Sequence, residues 1–481
     1  MGSELLIGVD VGTTETKVAA FDLTGKLLAL TRRGYNLILH EDTNAAEQAP
    51  ADWWTATVEA LRELTSAIDA SPALALCVGG QGPTVVALDK GMQPVGNALT
   101  WMDLRATAEA RLLSDRLGRQ VPSFFFVPKV LWLKNNCPHL HAETSWYLQS
   151  WDFVTYHLTD QLSGSTAEGV KPWSDELLQA ADLDSDKFVP LVEMGSQVGL
   201  VTAEAAEATG LKAGLPVVGG IVDFFESLIG TGTVRKGLAR DRGGTSQGIN
   251  LCWDRPLPGA GVMAISSFMK GLWYIGGPIS TTGKALQWFR DNLLGSDEDY
   301  SSLVQRAAKV PVGSEKLIFL PYLAGERSPI WDPAARGVFF GLSLSHRADH
   351  FARAVLESVA YAIRDVVDRI EEAGGHIEEL RVCGGQARSQ TWNQIKADVT
   401  GKVVVVPEVT EAEVLGAAII AGKGVGVFDH FVEGTEQMVR IRGTLPPDGD
   451  RHQVYSELFA LYRDLYLELR PLFQRLSQLS L

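Results

Sequence analysis

The chain has 481 residues, 46% of them hydrophobic and 21% charged, with 43 basic against 58 acidic side chains and a net charge of −15. That length exceeds what one hydrophobic core supports, so two domains are expected; the acidic balance, without a basic run, excludes nucleic acid as a partner, and no apolar run is long enough for a membrane span. Cys77, Cys137, Cys252 and Cys383 lack the paired spacing of a zinc site or disulfide framework and read as buried free thiols, while Met1 to Glu4 enters a strand-like run without a basic leader, which predicts a cytoplasmic protein.

The stretch LLIGVDVGTTETKVAAFDLTGKLLAL predicts three strands, Leu5 to Val9, Lys17 to Phe21 and Leu27 to Leu30, joined by Gly-Thr-Thr and Thr24-Gly25 turns. Asp10 stands at the first strand's end, before a Gly12-Thr13-Thr14 turn whose N–H and hydroxyl groups can point at phosphate oxygens. Its carboxylate can hold Mg²⁺, directly or through water; an ordinary hairpin with a solvated Asp is the alternative. Asp52 predicts an N-cap, and Trp54, Val58, Leu61, Leu64 and Ile68 repeat at helical spacing before a strand from Ala73 to Val78 that ends in Gly79-Gly80-Gln81. Trp101, Asp103 and Arg105 alternate; in an extended segment they project to one side and offer a sugar a stacking face and polar groups. A surface salt bridge beside a half-buried Trp is the plainer account. Asp223 follows the apolar strand LPVVGGIV and so sits at a strand's C-terminal end, where a base can take the proton of an attacking hydroxyl; otherwise it caps a helix from Phe224 to Leu228.

Halfway along, DRGGTSQGINLCW repeats the plan, with Gly244-Thr245-Ser246 leading into a strand at Ile249 to Trp253 and further β-rich runs near Val262 to Phe268 and Leu272 to Ile275. Helices are predicted at Lys284 to Leu294, Ala352 to Ala373 and Thr391 to Thr400, with a strand at Leu380 to Cys383 ending in Gly384-Gly385-Gln386. The glycines there let a flat adenine or ribose lie against backbone, although packing alone also explains them. Tyr455 to Leu476 is an amphipathic terminal helix. The two halves look duplicated, which predicts a mixed α/β chain of two domains, 1–238 and 239–481 with the boundary near Arg235 to Arg242, each offering a glycine-rich hairpin to an interdomain cleft.

Two other motifs fail on inspection. Gly277 to Lys284 has the wrong glycine spacing for a P-loop and carries Ala285 where Ser or Thr must bind Mg²⁺. Gly244-Thr245-Ser246-Gln247-Gly248 fits the G-x-S-x-G elbow of serine hydrolases, but the residues that follow, INLCW, are β-prone where an elbow requires a helix.

Read in order, these motifs resemble the FGGY carbohydrate kinases over nearly the whole chain. The most specific stretch, PYLAGERSPIWDPAARGVFFGLSLSHRADHFARAVLESVAYAIRD from Pro321 to Asp365, is similar to the family's C-terminal signature. KVLWLKNN, from Lys129 to Asn136, resembles the N-terminal one, with Phe126 where a small residue or Pro is usual. The resemblance implies two duplicated ribonuclease-H-like domains of the actin and hexokinase type. It implies Asp223 as catalytic base and Asp10 at the metal. Gly12, Thr13, Thr14, Lys17, Gly244, Thr245, Ser246, Gly283, Gly384, Gly385 and Gln386 are expected at the nucleotide, with Ala412 and Gly416 to Ala418 in support. Gln81, Gly82, Pro83, Trp101, Asp103, Arg105 and Phe224 are expected at the sugar. ATP and Mg²⁺ are the implied cofactors, a small sugar the substrate, and a homodimer the common assembly. The chain departs from relatives at Gly80-Gln81-Gly82-Pro83, where glycerol kinases have Asn-Gln-Arg-Glu and xylulose kinases usually have Met-His at the positions of Gly82 and Pro83, and at Phe224, where Asn or Gln usually follows the base. The expectation is γ-phosphoryl transfer to a ketopentose such as xylulose or ribulose; a non-catalytic nucleotide switch on the same fold is the rival.

Overall fold

The computed structural model describes residues 4–259 and 261–479, with the backbone alone for Glu41. Met1 to Ser3, read above as leading into the first strand, lie outside them. The chain forms two compact units, residues 1–232 with 411–439, and residues 233–410 with 440–481.

In the first unit β1 (Leu5–Val11), β2 (Glu15–Asp22) and β3 (Leu27–Gly34) form the expected meander, each strand running a few residues beyond its predicted end. Helix α1 (Pro50–Ala67) starts earlier than predicted, with Ala49 rather than Asp52 at its cap. Pro50 at the first helical position explains this, because its fixed φ suits a helix start and its missing N–H has no intrahelical partner to lose. Then come β4 (Ala73–Gly80), α2 (Phe126–Asn136), α3 (Ser150–Thr159), β5 (Gln197–Leu200), β6 (Pro216–Val222) and α4 (Asp223–Gly230). The sheet order is β5-β6-β4-β1-β2-β3, with β1, β4 and β6 mutually parallel. Val9, Val11, Leu76 and Val78 bury one face of these strands against Trp53, Leu61 and Phe153. The strands are apolar because both faces are covered.

The second unit repeats the plan. β7 (Leu238–Gly243), β8 (Gln247–Trp253), β9 (Met263–Ser266) and β10 (Trp273–Ile279) are antiparallel neighbours. Helix α5 (Gly283–Trp288) is followed by a wider π turn over Phe289–Leu294, so the helix predicted for Lys284 to Leu294 is present but changes pitch. α6 (Ala348–Glu372), β11 (Glu379–Cys383), α7 (Gln390–Thr400) and β12 (Val403–Pro407) follow, and β11 and β12 lie parallel to β7.

The chain then returns to the first unit as α8 (Ala412–Gly424) and α9 (Phe431–Met438), before β13 (Ile441–Leu445) and α10 (Gly449–Ser477) complete the second. Helix α8 lies so close to β1 and α4 that a Cβ on Gly8 would stand 1.9 Å from the Val414 carbonyl oxygen, and one on Gly416 the same distance from that of Glu226. Only glycine permits that approach. No disulfide joins the four cysteines, and Cys77, Cys252 and Cys383 are buried. Among the described residues no helix is long and apolar enough to cross a membrane.

Candidate active site

Three neighbouring parallel strands of the first unit end together. In register Asp10 on β1 faces Gly79 on β4, and Gly80 faces Val222 on β6. Their C-terminal ends therefore present Asp10, Gln81 and Asp223 side by side, with Asp223 as the first residue of α4. This is where open α/β sheets collect ligands, because strand ends converge there on loops and helix N-termini. Lys17, opposite Asp10 on β2, brings its Nζ to 3.4 Å from Asp10 Oδ2, and Asp10 is only 1% exposed.

The Gly12 to Thr14 turn is built rather than loose. Gly12 N donates to Glu15 O at 3.1 Å, Tyr35 Oη donates to Gly12 O at 2.5 Å, and Gln48 Nε2 donates to Thr13 O at 2.7 Å. Trp101 Nε1 donates to Thr13 Oγ1 at 3.0 Å, so the aromatic expected at the sugar touches the loop expected at the phosphates. Burial pushes the Tyr35 hydroxyl far up, which keeps it a donor at every physiological pH.

The substrate-side run is not extended. The chain turns at Trp101 and Met102, so Trp101, Asp103 and Arg105 do not share one side. Asp103 is fully buried, accepts from Ala46 N at 3.1 Å and holds Arg105 Nη2 at 2.7 Å; Arg105 also reaches Glu47 Oε1 at 2.6 Å and lies over the Trp132 ring. Half-exposed Trp101 is the member left at the surface. Gln81 is likewise turned inward, donating to Gln48 Oε1 at 2.5 Å. Gly82 and Pro83 are joined by a cis peptide, and Gly82 packs beneath Trp151, whose ring a Cβ there would meet at 2.8 Å. Phe224 is partly buried and packs edge-on against Phe225.

In the second unit Gln386 gathers the expected nucleotide residues. Its Nε2 donates to Gly244 O at 3.1 Å and to Thr282 Oγ1 at 3.2 Å, while Gly283 N donates to Gly244 O at 3.0 Å. Gly244 and Thr245 are exposed at a turn between antiparallel β7 and β8. A strand on both sides rules out the hydrolase elbow. Apart from Gly385 itself, its chain neighbours and the local helix backbone, no described atom lies within 4 Å of where a Gly385 Cβ would sit. Below the turn, Lys396 Nζ meets Asp241 Oδ2 at 2.8 Å with both side chains fully buried, and Gln247 Nε2 donates to the other Asp241 oxygen. Ala412 and Gly416 to Ala418 lie in α8, within the first unit.

Several residues that shape these surfaces are not among the candidates the motifs suggest. Glu226, one turn after Asp223, is fully buried, and burial together with Asp10, Asp223 and Glu413 raises its pKa well above the usual carboxylate range. Gln48 binds both Thr13 and Gln81. Lys129, fully buried in α2, donates from Nζ to Pro83 O at 2.8 Å and Thr100 O at 2.6 Å. A lysine in an otherwise apolar helical run was the available signal. Glu326, in the long signature, accepts from Ser280 N at 2.6 Å and Arg327 N at 2.7 Å, tying that loop to the end of β10; burial pushes its carboxyl up to about 7.

The FGGY family of carbohydrate kinases matches through its N-terminal domain over residues 5–230 and its C-terminal domain over 242–425. The chain belongs to the FGGY carbohydrate kinases. It is 30% identical over 490 residues to the xylulose kinase of Bacillus subtilis (strain 168), covering 97% of each chain, and 28% identical to the gluconokinase of Bacillus licheniformis, covering 96% of this chain and 95% of that one. The crystal structure of gluconate kinase from Lactobacillus acidophilus superposes with a TM-score of 0.87 at 25% identity, covering 99% of this chain and all of that one. This FGGY kinase is thus a phosphotransferase that uses ATP to phosphorylate an alcohol group of a sugar, on a duplicated α/β fold of the actin type.

Proposed function

We propose that this FGGY kinase transfers the γ-phosphoryl group of ATP to a hydroxyl of a ketopentose such as xylulose or ribulose. The first unit binds the sugar, and the second binds ATP through Gly244 to Ser246, Gly283 and Gly384 to Gln386. The observation that carries this reading is the alignment of Asp10, Gln81 and Asp223 on three adjacent strand ends. Asp223 accepts the proton of the attacking hydroxyl, and Lys17 and the Gly12 to Thr14 turn supply positive charge and donors to phosphate oxygens. Asp10 fits a Mg²⁺ ligand: it is a hard carboxylate oxygen donor near the end of β1, and Mg²⁺ takes one or two carboxylates while keeping most of its water. When bound, Mg²⁺ neutralises developing charge on the phosphates.

A neutral ketose is favoured over a sugar acid on electrostatic grounds. Arg105 is already held between Asp103 and Glu47 and Lys17 is paired with Asp10, so these cations are engaged and a substrate carboxylate gains little from them. The xylulose kinase relative supports a ketose and the gluconokinase relative a sugar acid, so the acceptor is decided by experiment. The test is a panel of ketoses, aldoses, polyols and gluconate with Mg-ATP, read as ADP formed and as phosphorylated product. Xylulose or ribulose is expected to exceed gluconate in kcat/KM by at least about tenfold, equivalent to about 1.4 kcal/mol. Preference for gluconate would overturn the substrate assignment. Tight ATP binding with no product from any acceptor would favour the nucleotide-switch reading.

The nucleotide half has its own test. A Cβ at position 283 would lie 2.3 Å from the Gly244 carbonyl oxygen, so Gly283→Val must push the two turns apart. The KM for ATP is expected to rise about tenfold or more with the sugar KM nearly unchanged, since a lost buried hydrogen bond costs about 1–3 kcal/mol. Unchanged ATP kinetics would remove Gly283 from the nucleotide site.

A further inference from the structure

We propose that Lys129 is a positioning residue for the sugar, locking the Gly82-Pro83 loop to the turn that carries Trp101. This rests on reading those residues as the sugar side of the site. The Lys129 ammonium nitrogen bridges the carbonyls of Pro83 and Thr100 at 2.8 and 2.6 Å. The backbone pair Val85 and Leu99 joins the same two segments farther in, at 2.9 and 3.0 Å. Beyond that pair, toward Gly82 and Trp101, the strands diverge into loops and Lys129 supplies the next link. Thr100 O also accepts from Asp103 N at 3.1 Å, so the lysine holds the acceptor of the turn that places Trp101, which in turn reaches Thr13.

A purely structural role explains this lysine poorly. It is fully buried at Nζ and sits in a helix with Phe126, Val127 and Val130 in the core. Burying an amine is costly, and an apolar residue of the same volume serves packing better. Burial pushes Lys129 down to about 7, with the Asp103 carboxylate opposing the shift. What the amine offers that a hydrocarbon cannot is a fixed distance between two carbonyls on separate loops.

The experiment compares the wild type with Lys129→Met by amide hydrogen exchange and by steady-state kinetics on the sugar the panel identifies. In the variant, the segments 81–85 and 99–103 are expected to exchange at least about tenfold faster while β1 and β2 stay protected. The sugar KM is expected to rise about tenfold or more, with the ATP KM within about twofold. Unchanged exchange in both segments overturns the link; faster exchange with an unchanged sugar KM overturns the positioning role. A wild type that phosphorylates no sugar sinks the reading of this surface, and the proposal with it, before any variant is made. If Lys129→Met does not fold, Lys129→Gln, which keeps an NH₂ donor on a stem one atom shorter, is read by the same two measurements.

Discussion

Asp223→Asn is expected to lower sugar-dependent ADP formation by about 10²–10⁴-fold, the range a positioned general base contributes, while ATP binding stays within a few-fold of the wild type. The amide is isosteric and can still occupy the first position of α4, but it cannot accept the proton. Phosphoryl transfer leaves little covalent chemistry to the protein, so the loss falls on turnover with bound substrates rather than on either KM. Single-turnover kinetics with saturating sugar and ATP, together with equilibrium nucleotide binding, check both halves of the expectation. Near-normal turnover would remove Asp223 from the base role and leave it a helix-terminal acid.

The second large effect is on stability. Lys396 and Asp241 form a fully buried ion pair beneath the Gly243 to Ser246 turn, and Lys396→Met strands the Asp241 carboxylate without its cation. Breaking one side of such a pair costs about 3–5 kcal/mol, and at roughly 2–4 °C per kcal/mol for a domain of this size the transition is expected to drop by roughly 10 °C in scanning calorimetry. Asp241→Asn combined with Lys396→Met is expected to recover part of the loss, because the Asp241 position then carries no charge left without its cation. A double variant destabilised by the sum of the Lys396→Met and Asp241→Asn losses would show that the pair is not coupled.

These two residues also mark what the sequence could and could not disclose. Asp223 was legible because a run of small apolar residues followed by an acid describes a buried parallel strand ending at a polar loop. The strand pattern likewise carried much of the fold: apolar runs, glycine turns and the repeated order of elements placed β1 to β4, β6 and β8 to β11 within a few residues, whereas β5, β7, β12 and β13 were not foreseen. Lys396 was not legible, since its partner lies 155 positions away and nothing in QTWNQIKADVT indicates that the lysine points inward. Trp101, Asp103 and Arg105 misled for a related reason: alternation implies one shared side only in extended backbone, and here the chain turns to bury Asp103. Glu226 was hidden by its setting, because a helical acid is ordinarily solvated, and only the approach of α8 and β4 shuts it in.

The return of residues 411–439 to the first unit has a consequence for how the protein is made. When a ribosome has completed α4, the helix that covers β1 and α4 has not been translated. At about 5–20 residues per second, α8 emerges some tens of seconds later. Until then Gly8 and Gly230, shaped to receive Val414 and Ala412, lie beneath a bare apolar groove. The first unit is therefore begun first and finished almost last, and a nascent chain arrested before position 411 displays apolar surface that chaperones and proteases can read as incomplete.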